Sequence, residues 1–131
     1  MSDIFKTLNE INVNENTEKK AGFTYLSWTW AWAELMKVYP TATRTVYQNA
    51  EGLPYFASKA GAMVKVGITI NGHEHINWSF VAATANRSVA LDSMTMFQVN
   101  TAIMRATVKA IALHGLGLYI YAGEDLPQGD E

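Results

Sequence analysis

The dipeptide Asn71-Gly72 separates two runs of residues that are typical of β-strands, 62–70 and 74–82. Asn-Gly between two such runs is a strong local signal for a β-hairpin, because both residues tolerate the positive φ angles that a tight turn requires. A hairpin joins antiparallel neighbours. The chain is therefore expected to contain an antiparallel sheet.

The register of this hairpin decides which side chains share a face. A two-residue loop mixes apolar with polar side chains, whereas a three-residue loop, 71–73, collects the apolar ones on one face. The opposed pairs are then Ile68 with Ile76, Val66 with Trp78, and Val64 with Phe80. One residue of slip moves every side chain to the other face, so the uniform apolar face favours the three-residue loop. That register predicts one dry face and one polar face, which carries Lys65.

Helices are predicted on both sides of this hairpin. Apolar residues at helical spacing predict a short amphipathic helix over 3–11. Ser27 is expected to cap a helix that ends before Pro40. Asp92 or Ser93 is expected to cap a long helix that reaches about residue 113 and closes at His114-Gly115.

The other segments complete an α+β prediction. Strands are expected over 41–48 and 54–58, a short apolar strand over 115–121, and loops over 12–22 and 83–92. The predicted fold is an antiparallel hairpin, extended to a three- to four-stranded sheet, that packs on the long C-terminal helix and is preceded by N-terminal helices. Residues 1–123 are expected to form a single domain, followed by an acidic tail over 124–131.

The net charge of −2 argues at first against a nucleic-acid partner. Four acidic residues lie in the tail, however, and without them ten basic residues face eight acidic ones, a net charge of +2. Between residues 44 and 109 basic residues outnumber acidic ones. They are Arg44, Lys59, Lys65, Arg87, Arg105 and Lys109. This excess is compatible with phosphate binding, although many domains without such a function share it.

The long helix carries one polar stripe on an otherwise apolar surface. Gln98, Thr101, Arg105 and Lys109 follow each other at spacings of three, four and four, and so lie along one line. A stripe of this kind is often a solvated edge. The rest of the helix surface is apolar and is expected to be buried by the sheet and by another subunit. The stripe then stays as a narrow basic line at the edge of the covered surface, which is suited to bind a phosphate backbone. Both interpretations stay open at this point.

Trp30 lies on the polar face of the second helix, opposite the apolar residues that are expected in the core. A large aromatic side chain in that position needs a partner. A contact with another subunit is favoured over a base-stacking role, which makes Trp30 the candidate residue for an oligomer interface.

The sequence indicates neither catalysis nor the binding of a metal or cofactor. The chain has no cysteine, and His73 and His75 lack the further ligands that a metal site needs. Neither a phosphate-binding glycine loop nor a catalytic constellation appears, so no cofactor, no metal and no enzymatic activity are expected. No apolar run is long enough for a membrane helix, and residues 1–10 lack the pattern of a secretory signal. A cytoplasmic protein without a membrane partner is therefore expected.

Two segments carry a likeness to a known family: TYLSWTWAWAELMKVYP at 24–40 and NTAIMRATVKAIALHGLGLYIYAGEDL at 100–126. Together they resemble phage single-strand annealing proteins of the Sak and Erf type. Those proteins carry a basic element on a helix, then a Gly-Leu-Gly or Leu-Gly-Ile turn and an acidic pair. One phage branch carries a YLSW…W element at the front. The likeness covers about residues 5–126.

The resemblance implies a hairpin or three-stranded sheet packed on a long helix, a core shared with the eukaryotic strand-annealing recombination mediator. It also implies homo-oligomeric rings or filaments that hold single-stranded DNA in a basic groove and anneal it without ATP in the host bacterial cytoplasm. Arg105 matches the basic position of the helix motif, and Lys109 follows one turn later. Lys65 and Arg87 join them on the argument from strand register.

The chain also departs from this pattern. Val108-Lys109 stands where the Erf-like pattern has an aromatic residue. Many relatives carry a long C-terminal region that recruits the host single-strand-binding protein or a phage exonuclease, and the likeness to residues 5–126 does not extend to such a region. Both partners therefore stay open. Two other functions also fit the composition: a module that binds duplex RNA or DNA, and an inhibitor that binds a host protein and no nucleic acid.

Overall fold

A computed structural model describes residues 3–20, 23–84 and 87–121. The acidic tail, 124–131, lies outside the described residues. The helices are α1 (Asp3–Asn9), α2 (Trp28–Val38) and α3 (Met96–Leu113). The strands are β1 (Thr17–Lys20), β2 (Phe23–Leu26), β3 (Thr43–Val46), β4 (Phe56–Ser58), β5 (Gly61–Ile70), β6 (His73–Phe80), β7 (Ala82–Thr84) and β8 (Arg87–Ser88). Short 3₁₀ turns cover Asn14–Asn16, Leu91–Ser93 and Leu118–Tyr121.

The main sheet has four antiparallel strands with β5 in the middle. β6 pairs with β5 along one side, and β3 and β4 pair with successive stretches of its other side. β1 with β2 and β7 with β8 form two further antiparallel pairs. The α+β class and the antiparallel sheet are confirmed.

One face of the main sheet is covered by α3. Val64 and Val66 of β5 pack with Val99, Ala102 and Ala106 of the helix, and all five are almost fully buried. Small residues on the helix let it approach the β-branched side chains of the strand closely. This packing leaves the opposite face of the sheet without a helix among the described residues.

A second cluster joins the other end of the sheet to the two N-terminal helices. Leu8 of α1, Leu35 of α2, Ile68 of β5 and Ile111 of α3 have no exposed surface, and neither has Leu116 just after α3. The three helical residues, Leu8, Leu35 and Ile111, lie at apolar positions of the helices predicted from the sequence. The helices predicted over 3–11 and from Ser27 to Pro40 are therefore confirmed, and Ser27 does cap α2 by accepting a hydrogen bond from the Trp30 amide.

The predicted hairpin register is wrong. The loop has two residues, Asn71 at φ 50° and Gly72 at φ 84°, as a tight turn with two positive φ angles requires. The opposed pairs are Ile70 with His73, Ile68 with His75, Val66 with Asn77, and Val64 with Ser79. The apolar residues of β5 are covered by α3 whatever faces them on the edge strand β6, so the turn decides the register. Lys65 then lies opposite Trp78, and the face that carries it is partly apolar.

Four other segments also differ from the prediction. Thr95 caps α3, in place of Asp92 or Ser93, because it forms a reciprocal capping box with Gln98. The expected loop over 12–22 contains β1, and the one over 83–92 contains part of β7 and all of β8. The expected strand over 115–121 is a turn and a 3₁₀ helix, since Gly115 and Gly117 both adopt positive φ angles that break an extended chain.

Candidate nucleic-acid interface

A groove lies between α3, the start of α2 and the β1–β2 pair. It encloses a cavity of about 290 Å³. Thr101, Arg105 and Lys109 line it from α3, so the structure brings together three members of the polar stripe. Their spacing of four residues stacks them along one line of the helix. Ala102 and Ala106, which follow Thr101 and Arg105 in the chain, turn into the core, and this leaves the stripe at the edge of the groove.

The two cations of the stripe each lie over an aromatic ring. The guanidinium carbon of Arg105 is 5.4 Å from the centre of the Tyr25 ring, and the Lys109 ammonium is 5.5 Å from that of Tyr121. Both rings line the same groove. A cation at this distance from a ring face is attracted to it and is held in place beside it.

A third such pair extends the arrangement from the sheet. Arg44 of β3 lies 5.6 Å from the ring centre of Trp28, the first residue of α2, which also lines the groove. Its guanidinium donates a hydrogen bond of 3.1 Å to the hydroxyl of Thr107 on α3. Arg44 therefore ties α2, β3 and α3 together beside the groove, while its side chain stays exposed.

Sequence reasoning missed the aromatic members of this site and one acidic member. Tyr25 and Trp28 belong to the TYLSW segment, whose order along the chain gives no indication that it faces α3. Tyr121 was expected in a strand. Glu18 of β1 also lines the groove, and it was expected in a loop.

The remaining predicted site residues lie elsewhere. The Gln98 side chain accepts a hydrogen bond from the Thr95 amide and so serves the cap of α3. Lys65 lies on the face of the sheet that α3 does not cover. Lys59, in the turn between β4 and β5, and Arg87, in β8, are exposed and do not line the groove.

Trp30 is partly buried. It packs against the cluster that joins α1, α2 and the sheet, so the core satisfies part of its apolar surface. Its role at an oligomer interface stays a prediction.

The histidines do not form a metal site within the described ranges, where no three histidine, cysteine, aspartate or glutamate side chains converge. The rings of His75 and His114 are instead in contact, with centres 4.5 Å apart. His114 Nε2 donates a 2.7 Å hydrogen bond to the carbonyl oxygen of Ile68. Burial lowers the pKa of His114. None of the helices described is long and apolar enough to span a membrane.

Comparison with known proteins adds one match. The model of the Sak Single Strand Annealing Protein family matches residues 3–131. No curated protein and no solved structure matches the chain significantly. The family match spans nearly the whole sequence, including both the TYLSW segment and the basic helix that form the groove. This chain belongs to the Sak family of phage single-strand annealing proteins.

Proposed function

We propose that this chain binds single-stranded DNA in the groove beside α3 and promotes the annealing of complementary strands without ATP, as a homo-oligomer in the host cytoplasm. It acts as a binding protein and not as an enzyme. The observation that carries the proposal is the alternation of cations and aromatic rings: Arg105 over Tyr25, Lys109 over Tyr121 and Arg44 over Trp28.

This alternation suits a single strand better than a duplex. Proteins that hold single strands combine a positively charged track for the phosphates with aromatic rings on which bases stack. In a duplex the base faces are covered, so rings beside the cations would find no partner. The groove therefore favours single-stranded DNA over the duplex that a shape-reading module would prefer.

The contacts available here carry little sequence information. Arg105 and Lys109 would meet phosphate oxygens, which are the same for every base, and stacking tolerates any base. An annealing protein needs this tolerance, because it must hold any sequence and let a complementary strand test its base edges. Neither contact consumes ATP.

The small number of cations argues for an oligomer. Among the side chains that the structure describes, two basic residues on α3 line the groove and one on β3 flanks it, so these residues offer one subunit few phosphate contacts. A strand that crosses several subunits binds through the sum of these contacts, and its effective affinity rises far above that of one subunit. The Sak family match supports annealing as the purpose of such a track.

Binding of labelled oligonucleotides tests the proposal. Tight binding of a single strand by a species of many subunits, with weaker binding of a duplex of the same length, is expected. Affinity should fall with salt, with a logarithmic slope of about −0.7 for each phosphate contacted. Preference for the duplex, or no binding at low salt, would contradict the proposal. The first result would point to a duplex-binding module, and the second to a protein-binding inhibitor.

A further inference from the structure

The groove beside α3 is lined by an acidic residue as well as by basic ones. Among the described side chains that line it, Glu18 of β1 is the acidic residue, and Arg105 and Lys109 are the basic ones. A carboxylate repels the phosphates of any nucleic acid that enters the same groove. Glu18 should therefore lower the affinity of the groove for DNA, and a role in selectivity would account for its position there.

The pairing of β1 with β2 fixes the position of Glu18. It lies directly across from Tyr25, so the two side chains leave the same face of the strand pair. Side chains opposed in this way have Cβ atoms about 4.5–5.5 Å apart. The Tyr25 ring is in turn the one beside Arg105, with 5.4 Å between the guanidinium carbon and the ring centre. Glu18 is therefore the neighbour of the ring to which the proposed function assigns a stacked base.

The charge of Glu18 is not neutralised by the side chains that the structure describes. Glu18 is exposed, and neither an ion pair nor a hydrogen bond joins its carboxylate to any of them. No described contact of the fold depends on this carboxylate. Its charge is therefore left to act on whatever enters the groove.

A single strand and a duplex respond differently to this charge. A single strand is flexible, so it can turn its phosphates toward Arg105 and Lys109 and a base toward Tyr25. A duplex carries one charge per about 1.7 Å of its axis, where one strand carries one per about 3.4 Å. It is also stiff over about 150 base pairs, so it cannot turn its second backbone away. The carboxylate of Glu18 therefore repels a duplex more strongly than a single strand.

We infer that Glu18 is a specificity-determining residue of the groove: its carboxylate repels the second backbone of a duplex and so restricts the groove to single strands. This role rests on the proposed function, because it presupposes that a strand binds in the groove. Specificity is a difference between two affinities, and a group that repels the wrong partner is one way to obtain it. The repulsion lowers the affinity for a single strand slightly and the affinity for a duplex more.

The same repulsion gives the groove a way to release its product. When a complementary strand pairs with the bound one, a second backbone arrives near the carboxylate, and the affinity of the groove falls. The paired strands then leave, and the groove can take up another single strand. A groove without this carboxylate would retain the duplex. Repeated annealing should therefore depend on Glu18 more than the first pairing does.

Removal of the charge in the full chain tests this role. Fluorescence anisotropy at one salt concentration measures the affinity for a mixed-sequence single strand and for the duplex of the same length. Glu18→Gln should raise the affinity for the duplex about tenfold and that for the single strand about twofold, so the preference for the single strand falls about fivefold. Glu18→Asp keeps the charge and should keep the preference. Glu15→Gln is the control of equal charge, because Glu15 is exposed just before β1 and does not line the groove.

The outcomes of these titrations distinguish the role of Glu18 from the proposed function. If the unaltered chain prefers the single strand and Glu18→Gln keeps that preference in full, the role of Glu18 is overturned and the proposed function stands. An equal loss of preference in Glu15→Gln would also overturn it, because the net charge and not the groove would then be responsible. If the unaltered chain binds no single strand, or prefers the duplex, both are contradicted. Glu18→Thr also lacks the charge and suits a strand, and it should repeat the result of Glu18→Gln.

Discussion

The guanidinium of Arg105 lies over the ring of Tyr25, with 5.4 Å between its central carbon and the ring centre. One residue belongs to the last helix and the other to the strand before α2, so the contact closes the groove between the two ends of the chain. It holds a cation and an aromatic ring side by side, the pair that the proposed function assigns to a phosphate and to a stacked base.

The first prediction concerns this ring. Tyr25→Ala should weaken binding of a single strand by about 1–3 kcal/mol for each base that stacks there, which is the usual loss when an aromatic platform is removed. Tyr25→Phe keeps the ring and should bind normally. Fluorescence anisotropy with a labelled oligonucleotide measures both. Equal affinities for the alanine variant and the unaltered chain would remove Tyr25 from the site.

A second prediction separates Gln98 from the polar stripe to which the sequence assigned it. Gln98→Ala removes half of the capping box of α3 and should lower the free energy of unfolding by about 1 kcal/mol. Affinity for single-stranded DNA should not change. Asn100→Ala, at an exposed position of the same helix, is the control for stability. If Gln98→Ala lowered the affinity for single-stranded DNA without lowering the stability, Gln98 would belong to the binding site and not to the cap.

The pH dependence of folding should report on His114. Burial lowers its pKa; the hydrogen bond to Ile68 opposes this, and positive charge on His75 and His73 adds to it. The unfolded chain therefore takes up a proton near pH 6.5, where the folded chain does not. The contribution of His114 to stability is complete above that pH and is lost as the pH falls toward the folded value.

Denaturant unfolding between pH 5 and pH 8 checks this expectation. His114→Gln cannot titrate, and its glutamine amide can still donate to the Ile68 carbonyl. The stability difference between the unaltered chain and this variant should shrink as the pH falls. A constant difference across the range would mean that His114 titrates alike in both states.

Gly115 should tolerate no side chain. Its φ angle is 127°, and a Cβ atom there would lie 2.6 Å from the carbonyl oxygen of Phe5 and 3.2 Å from the amide of Asn9. Gly115→Ala should therefore push α1 away from the end of α3 and lower the free energy of unfolding by about 3 kcal/mol or more. Gly52→Ala is the matched control, because it has a positive φ but open space around it. It should cost about 1 kcal/mol. Thermal unfolding of the two variants measures these losses of stability. Equal losses in the two variants would contradict the close packing of Gly115 against α1.

Features that depend on residues near each other in the sequence were predicted correctly, whereas the pairing of residues across the sheet was not. The stripe of Thr101, Arg105 and Lys109 needs only helical periodicity, and the structure places all three in one groove. The register of β5 and β6 needed knowledge of what covers each face. Because α3 buries the apolar side of β5 by itself, Trp78 and Ile76 of the edge strand were free to face the other way.

The aromatic half of the groove could not have been found from spacing. Tyr25 and Tyr121 come from segments that are far apart in the chain, and each meets a cation of α3 only after the fold brings them together. The N-cap of α3 can be identified from the sequence, but the prediction assigned it to the wrong residue. Thr95 followed by Gln98 three positions later is a capping-box signal, and it identifies the start of α3 better than Asp92 or Ser93 does.

The proposed function requires that Arg105 and Lys109 hold the strand that is annealed. The most direct test is the rate at which two complementary labelled oligonucleotides pair without ATP, in the presence of the unaltered chain or of Arg105→Ala combined with Lys109→Ala. Lys6→Ala combined with Lys37→Ala is the control of equal charge, since both lysines lie on other helices. Accelerated pairing is expected with the unaltered chain and with the control. The groove variant should give the rate measured without protein, with its folding and oligomer mass unchanged. Normal annealing by the folded groove variant would show that these cations do not hold the strand.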